Sequence, residues 1–191
     1  MKVGLFFGSF NPVHVGHMVI ASYMAEYTDL EQVWFVVSPH NPLKQKESLL
    51  DDQHRLQLVR LATEDNRKLK ASNIEFGLPQ PNYTVNTLSY LYDMHPDHRF
   101  VLMMGADNLT TFKKWKNWEQ ILEMVEVYVY PRRESDGGDL LHHPKVKVVN
   151  APIMEISATF IREAIRNNKD VRYMLPDVVW KYMKEMHFYE K

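Results

Sequence analysis

Short apolar runs alternate along the chain with segments in which apolar residues recur every three or four positions. The runs predict buried strands at 3–7, 32–37, 99–104, 125–130 and 146–149, and a weaker strand at 69–74. The helical spacing predicts helices at about 15–27, from Asp51 or Asp52 onward, at 84–91, in a piece closing at 121–122, at about 158–167 and at about 176–186. Because strands alternate with helices, we expect an α/β fold: a Rossmann-like, doubly wound parallel sheet with C-terminal helices.

Two polar stretches interrupt this pattern and predict loops. Residues 39–50 contain two prolines and two lysines, and residues 131–144, rich in Arg, Gly and Asp, are expected to form a mobile surface loop. The chain of 191 residues shows no repeat and no low-complexity segment, which fits one domain. We therefore expect a single domain over 1–191, with a helical C-terminal part from about 156 to 191.

Composition narrows the classes of protein that remain. The formal net charge of -1 argues against general nucleic-acid binding, although a local basic cleft for small phosphate ligands stays open. The chain has no cysteine, which excludes disulfides, thiolate metal sites and cysteine nucleophiles and suits a reducing compartment. The first apolar run is too short for a signal peptide or a membrane span. We expect a cytoplasmic protein with no membrane or nucleic-acid partner.

Two turns are expected at the edge of the sheet where ligands bind, outside the carboxyl ends of the strands. The first strand runs into Gly8 and Ser9, and the strand at 99–104 runs into Gly105-Ala106-Asp107. Asp107 either caps the helix that follows or faces a ligand.

The turn after the first strand has the features of a phosphate site. A strand-to-helix turn presents free backbone N–H groups and the positive end of a helix dipole. Gly8 would let a phosphate approach the backbone, and Gly16 would leave room for a nucleotide. His14 and His17 are three residues apart, so both project from one side of the helix start and can donate hydrogen bonds to phosphate oxygens. The alternatives are two solvent-exposed histidines or a metal pair, but no third metal ligand has convincing spacing.

Four further segments each have a structural and a functional interpretation. Ser157 caps a helix and can also face a phosphate, and Arg162 one turn later is either a solvated charge or a bidentate polyphosphate clamp. The backbone N–H groups at Tyr83-Thr84 could receive a small carboxylate or simply begin a helix. Of the two tryptophans at 115 and 118, one is expected in the core. The pair at 132–133 either flanks a nucleotide base or is solvated.

These segments together resemble a known family. Residues 8–17, Gly-Ser-Phe-Asn-Pro-Val-His-Val-Gly-His, resemble the signature of the His-x-Gly-His nucleotidyltransferase superfamily, and residues 156–162, Ile-Ser-Ala-Thr-Phe-Ile-Arg, resemble its second motif. Between them, the segments 81–84, 105–107 and 111–115 are similar to those of the bacterial nicotinate-nucleotide adenylyltransferases. The resemblance covers nearly the whole chain in the right order.

The resemblance implies an enzyme of NAD biosynthesis, a transferase that joins the adenylyl group of ATP to nicotinate mononucleotide and releases pyrophosphate. It implies that His14 and His17 are catalytic, and that Trp115 stacks on the pyridine base beside Tyr83 and Thr84. Mg²⁺ would be held mainly through the ATP phosphates, without protein metal ligands. The remaining ATP contacts implied by the resemblance are Gly8, Ser9, Phe10, Gly16, Lys44, Gly105, Asp107, Ser157 and Arg162.

The loop after the second strand departs from the family pattern. Where the family commonly has Pro-Pro-His-Lys, this chain has Leu43 before Lys44, and the sequence leaves open whether His40 replaces the usual histidine. It also leaves open the choice between nicotinate and nicotinamide and whether the protein is a homo-oligomer. Alternative functions are a nicotinamide-mononucleotide or a pantetheine-phosphate adenylyltransferase, a class I aminoacyl-tRNA synthetase, and a non-catalytic nucleotide-binding module.

Overall fold

The computed structural model describes residues 1–40 and 49–190. Within these ranges six strands form one parallel sheet in the order β3-β2-β1-β4-β5-β6. The strands are β1 Lys2–Gly8, β2 Gln32–Val37, β3 Leu69–Ser72, β4 Arg99–Gly105, β5 Glu126–Tyr130 and β6 Val146–Val148. The order reverses between β1 and β4, which is the switch point where a doubly wound sheet binds its ligands. The expected Rossmann-like fold is confirmed.

Helices cover both faces of the sheet, as the continuous apolar strands require. The face that contains Phe6 packs against α1 Val15–Tyr27, α2 Asp52–Thr63, α6 Ala158–Arg166 and α7 Asp177–Glu185. The opposite face packs against α3 Thr84–Met94, α4 Ala106–Thr110 and α5 Trp118–Met124. In the described ranges, no helix is both long and apolar enough to cross a membrane.

Two segments differ from the sequence prediction. The weak strand expected at 69–74 ends at Ser72, and a 3₁₀ helix follows at Ile74–Gly77, where the side chain of Glu75 is buried. The loop at 131–144 contains a 3₁₀ helix, Asp139–His142, because Leu140 packs into the core with only 7% exposure. In each case a buried contact decides the local conformation.

Candidate active site

Three cavities lie along the carboxyl edge of the sheet. The histidine pocket, about 290 Å³, is lined by Gly8, Ser9, Phe10, Asn11, His14, Gly16, His17, Ile20, Arg132, Met154, Ile156, Ser157 and Ala158. The tryptophan pocket, also about 290 Å³, is lined by Phe7, Ser38, Pro39, Glu75, Gln80, Pro81, Asn82, Thr84 and Trp115. The arginine cleft, about 590 Å³, is lined by Asp107, Arg132, Arg133, Glu134, Ser135, Ile153, Met154 and Glu155, and thus shares Arg132 and Met154 with the histidine pocket.

The two histidines predicted from the turn stack on each other. Their ring centroids lie 3.7 Å apart with an angle of 27° between the planes. The backbone N–H of His14 donates to Nδ1 of His17 at 3.2 Å, so a neutral His17 carries its proton on Nε2. Nδ1 of His14 is buried and has no hydrogen-bond partner among the described residues. A buried imidazole nitrogen without a partner is costly unless a ligand satisfies it.

Both imidazoles are neutral at pH 7. Burial, with a smaller contribution from the charge of Arg132, lowers the pKa of His14 to about 4. Burial, with the charges of His14 and Arg132, holds the pKa of His17 well below its usual value. A polyphosphate bound here would raise both pKa values again, because a nearby anion favours the protonated ring. The pair can therefore donate hydrogen bonds to phosphate and accept charge as it develops.

The glycines of the turn make room for two neighbouring side chains. A Cβ at Gly8 would lie 2.9 Å from the ring of Phe10, and a Cβ at Gly16 would lie 3.0 Å from the ring of His14. These glycines thus admit the rings that shape the pocket, which both glycines also line, and the expectation that they let a phosphate or nucleotide approach stays a prediction. Phe10 is 2% exposed, and its ring supports the edge of His17 at a centroid distance of 5.1 Å.

Arg132 joins the histidine pocket to the arginine cleft. Its Nη1 donates to the carbonyl of Met154 at 3.2 Å, and its guanidinium lies over the ring of Tyr130 at 5.3 Å. Its Nε lies 3.6 Å from Oδ1 of Asp107, close enough for an ion pair but too far for a hydrogen bond. A Cβ at Gly105 would lie 3.0 Å from that same Nε, so the glycine lets Arg132 approach.

The neighbouring arginine behaves differently. The Arg133 side chain is 74% exposed and pairs with Glu155 at 2.9 Å. Arg133 lines the arginine cleft alone and matches the solvated arginine, whereas Arg132 lines both the cleft and the histidine pocket. Asp107 lies in the first turn of α4 as a partner of Arg132, and its side chain does not cap that helix.

The second predicted motif lies beside the first. Ser157 is the N-cap of α6, where its hydroxyl accepts from the N–H of Phe160 at 3.1 Å, and it also lines the histidine pocket. Arg162 does not line that pocket. Its Nη1 donates to the carbonyl of Asn11 at 2.8 Å and its Nη2 to the hydroxyl of Thr159 at 3.3 Å. In this arrangement the guanidinium thus supports the wall of the pocket.

Sequence reasoning missed Arg55, which holds the same wall. Its side chain has no exposure, and Nη1 donates to the carbonyls of Ser9 at 2.6 Å and Ser38 at 2.8 Å. Nη2 pairs with Asp52. A spacing signal existed, since Arg55 precedes the inward-facing Val59 by four positions and so lies on the apolar stripe of α2.

The tryptophan pocket brings together two of the three residues predicted to bind the pyridine nucleotide, Thr84 and Trp115. Trp115 follows the 3₁₀ helix Phe112–Lys114, and its ring packs at 5.1 Å from that of Phe112. Thr84 begins α3 and lines the pocket, so the N-terminal end of that helix, where the first N–H groups have no partner within the helix, borders the pocket. Tyr83 is the N-cap of α3 but does not line the pocket. The ammonium of Lys116 lies over its ring, 4.2 Å from the ring centroid.

Glu75 in this pocket was also missed, because no motif or spacing marks it. It is 3% exposed, and the hydroxyl of Thr87 donates to its Oε1 at 2.8 Å. Burial raises the pKa of this carboxyl above its usual value, against the hydrogen bonds from Thr87 and Ser38. The tryptophan pocket is therefore lined by a carboxyl group that resists ionisation.

The loop after β2 is only partly described. Lys44 and Leu43 lie outside the described residues. His40 is exposed at the end of the described segment, with its backbone N–H donating to Asp52 at 2.9 Å.

The chain is similar in sequence and in fold to known proteins. The cytidylyltransferase-like family model matches residues 5–164. A probable nicotinate-nucleotide adenylyltransferase of Flavobacterium psychrophilum is 58% identical over all of both chains, and one of Bacteroides thetaiotaomicron is 44% identical over 97% of this chain and 92% of its own. Among solved structures, the Plasmodium falciparum nicotinic acid mononucleotide adenylyltransferase complexed with NaAD superposes with a TM-score of 0.81 at 17% identity, over 98% of this chain and 97% of that one. The last comparison supports the fold alone.

Proposed function

The chain belongs to the nicotinate-nucleotide adenylyltransferases, within the cytidylyltransferase-like family, and on that premise we propose that it transfers the adenylyl group of ATP to nicotinate mononucleotide. The products are the dinucleotide deamido-NAD and pyrophosphate. The observation that carries this proposal is the position of two consecutive residues at the end of β1. Phe7 lines the tryptophan pocket and Gly8 lines the histidine pocket, so two substrates can meet across the end of one strand.

ATP occupies the histidine pocket and the arginine cleft. The triphosphate lies over the start of α1, where the helix dipole and the two imidazoles favour its charge. His17 serves the α-phosphate through Nε2, and His14 serves the departing pyrophosphate together with Lys44 and Arg162. The adenosine extends past Gly105 and Asp107, with Arg132 between base and phosphates. For Arg162 this role requires its guanidinium to leave or share the carbonyl of Asn11.

The reaction is an in-line displacement. An oxygen of the acceptor 5′-phosphate forms a bond to the α-phosphorus, and the bond from that phosphorus to the bridging oxygen of pyrophosphate breaks. The nucleophile is already an anion, so the chain needs no covalent intermediate and no strong base. Its contribution is to hold the two phosphates in line and to stabilise charge on the transferring group.

The acceptor base lies in the tryptophan pocket. Trp115 stacks on the electron-poor pyridine ring, and the N–H groups at the start of α3, near Thr84, receive the nicotinate carboxylate. The Lys116 ammonium over Tyr83 adds positive potential at the rim. The ionised form of Glu75 would favour the alternative acceptor, since a carboxylate accepts a hydrogen bond from the amide of nicotinamide mononucleotide but repels nicotinate.

Mg²⁺ is proposed to enter with ATP. In the described part of the chain, no group of three or more histidine, cysteine, aspartate or glutamate side chains is placed to hold a metal ion. The ion would therefore be held mainly by the ATP phosphates and water, as Mg²⁺ commonly is, and Asp107 is a carboxylate that could lie near it. When bound, the ion neutralises charge on the triphosphate. The cytoplasmic location and the oligomeric state stay predictions.

The deciding experiment is pyrophosphate release from ATP with nicotinate mononucleotide and with nicotinamide mononucleotide, assayed side by side. We expect a higher kcat/KM for nicotinate mononucleotide. A preference for the amide would overturn the acceptor assignment and leave the adenylyl transfer standing. Binding of ATP without pyrophosphate release from either acceptor would contradict the enzymatic function.

A further inference from the structure

Asn11, between β1 and α1, is held from the far end of the chain. Its Oδ1 accepts a hydrogen bond from the hydroxyl of Tyr189 at 2.5 Å and another from the N–H of Leu50 at 3.2 Å. Its backbone carbonyl accepts from Arg162 at 2.8 Å. Asn11 is 4% exposed and lines the histidine pocket, so these hydrogen bonds are made in a buried environment, where losing a partner is costly.

The chain reaches Asn11 through a defined turn after α7. The N–H of His187 donates to the carbonyl of Lys184 at 3.3 Å, and the N–H of Phe188 donates to the carbonyl of Met183 at 3.0 Å. With His187 at a φ of 55°, this is the Schellman pattern that ends many helices. The ring of Phe188 then packs at 4.9 Å from that of His54 on α2. The turn directs the last residues back towards α2 and the start of the chain.

The backbone of Tyr189 shows that its position is specifically held. Its φ is 64°, in the left-handed region that a residue with a large side chain rarely adopts. The Schellman turn accounts for the left-handed conformation of His187 but not for this second one. Tyr189 is 9% exposed, and its hydroxyl makes the buried hydrogen bond to Asn11. The unfavourable backbone conformation is thus offset by contacts of the side chain.

We propose that Tyr189 is a positioning residue for ATP binding: its hydroxyl fixes the carboxamide of Asn11, and thereby the segment 9–11 that lines the histidine pocket. This inference rests on the proposed function only in taking ATP as the ligand of that pocket. The tryptophan pocket borders the other side of the end of β1 and is built from different residues. Loss of the hydroxyl should therefore weaken ATP binding and spare the acceptor.

The test is Tyr189→Phe, which keeps the packed ring and removes only the hydroxyl. Titration calorimetry with a non-hydrolysable ATP analogue should show a Kd raised by about three- to ten-fold, the effect of one buried hydrogen bond. The KM for ATP should rise in parallel, and the KM for nicotinate mononucleotide should change less than about twofold. An unchanged Kd for the ATP analogue would overturn the proposal.

Two controls separate positioning from stability. Tyr173→Phe removes the hydroxyl of a residue that is 89% exposed and should leave ATP affinity unchanged. Val179→Ala opens a cavity under α7 and should lower the Tm while leaving ATP affinity unchanged. A loss of ATP affinity in Val179→Ala equal to that in Tyr189→Phe would show a general effect of stability and would contradict the positioning role.

A measurement on the unmodified protein covers the case in which Tyr189→Phe does not fold. If Tyr189 holds the turn in its ATP-binding conformation, ATP must in return hold Tyr189 in place. The ATP analogue should therefore slow amide hydrogen exchange in residues 186–190. Unchanged exchange there would overturn the inference, whether or not nicotinate mononucleotide proves to be the acceptor. Absence of pyrophosphate release by the unmodified protein would instead overturn only the proposed function.

Discussion

The histidine pocket and the tryptophan pocket have the same volume, about 290 Å³, and lie at consecutive residues of β1, but they bury ionisable groups of opposite kind. The histidine pocket contains His14 and His17, which burial keeps neutral by lowering the pKa of each ring, next to the permanent charge of Arg132. The tryptophan pocket contains Glu75, a carboxyl group whose pKa burial raises. In both pockets burial thus disfavours the charged form of the ionisable side chains, His14 and His17 in the first and Glu75 in the second. We propose that the first pocket receives a polyphosphate and that the second distinguishes a charged from a neutral pyridine base.

Removing His17 tests the catalytic half of this comparison and has the largest expected effect. His17→Ala removes the Nε2–H donor proposed to serve the α-phosphate, so kcat should fall by about a hundred- to a thousand-fold. The KM for nicotinate mononucleotide should stay near its original value, because the tryptophan pocket is intact. Steady-state pyrophosphate release measures both constants.

The matched control is His142→Ala, which removes an exposed histidine of the 3₁₀ helix Asp139–His142. Its kcat should equal that of the unmodified protein. Near-normal turnover in a folded His17→Ala protein would remove the assigned catalytic role.

Acid unfolding tests the electrostatic part of the comparison. An unfolded His14 takes up a proton near the ordinary histidine pKa of 6.5, whereas the folded one resists protonation down to about 4. Because the unfolded state binds more protons in this window, the free energy of unfolding should fall as the pH falls from about 6.5 to about 4, by about 3 kcal/mol for this residue. The raised pKa of Glu75 acts in the opposite sense, since its contribution is lost as the pH rises through the folded pKa.

Denaturant unfolding at several pH values, without added nucleotide, measures this slope. His14→Gln should flatten it below about pH 6.5, the ordinary histidine pKa, and His142→Gln should not. Equal slopes in all three proteins would contradict the neutral state of buried His14.

Glu75→Gln sharpens the difference between acceptors and has the smallest expected effect. The amide keeps the size of the side chain and an oxygen for the hydroxyl of Thr87, but it cannot ionise. Above the raised pKa of Glu75, the variant should bind nicotinate mononucleotide about two- to five-fold more tightly, because a like charge is gone. Its KM for nicotinamide mononucleotide should not improve.

The quantity to measure is the ratio of the KM for nicotinate mononucleotide to the KM for nicotinamide mononucleotide at several pH values. Both acceptors carry the same 5′-phosphate, so its ionisation cancels in this ratio. Glu119→Gln, an exposed carboxylate of α5, is the control and should leave the ratio unchanged. Equal changes for both acceptors in Glu75→Gln would show that Glu75 shapes the pocket without selecting charge.

The sequence predicted the sheet and most helices because apolar periodicity reports burial directly. It also predicted that His14 and His17 share one side of the helix start, since their spacing alone determines this. The boundary at Ser72 and the 3₁₀ helix within 131–144 could not be predicted. They follow from the burial of Glu75 and Leu140 against elements distant in the sequence.

By itself, the sequence determined the fold class, the family and the local geometry of the turn between β1 and α1. Strand and helix periods and motif spacings depend only on residues that are neighbours along the chain. The tertiary structure decided which of Arg132 and Arg133 lines the histidine pocket, which rings Gly8 and Gly16 make room for, and that Arg55 and Tyr189 hold the turn after β1. These are contacts between residues far apart along the chain. Only the packing of β5, α2 and the C-terminal segment around β1 brings them to one place.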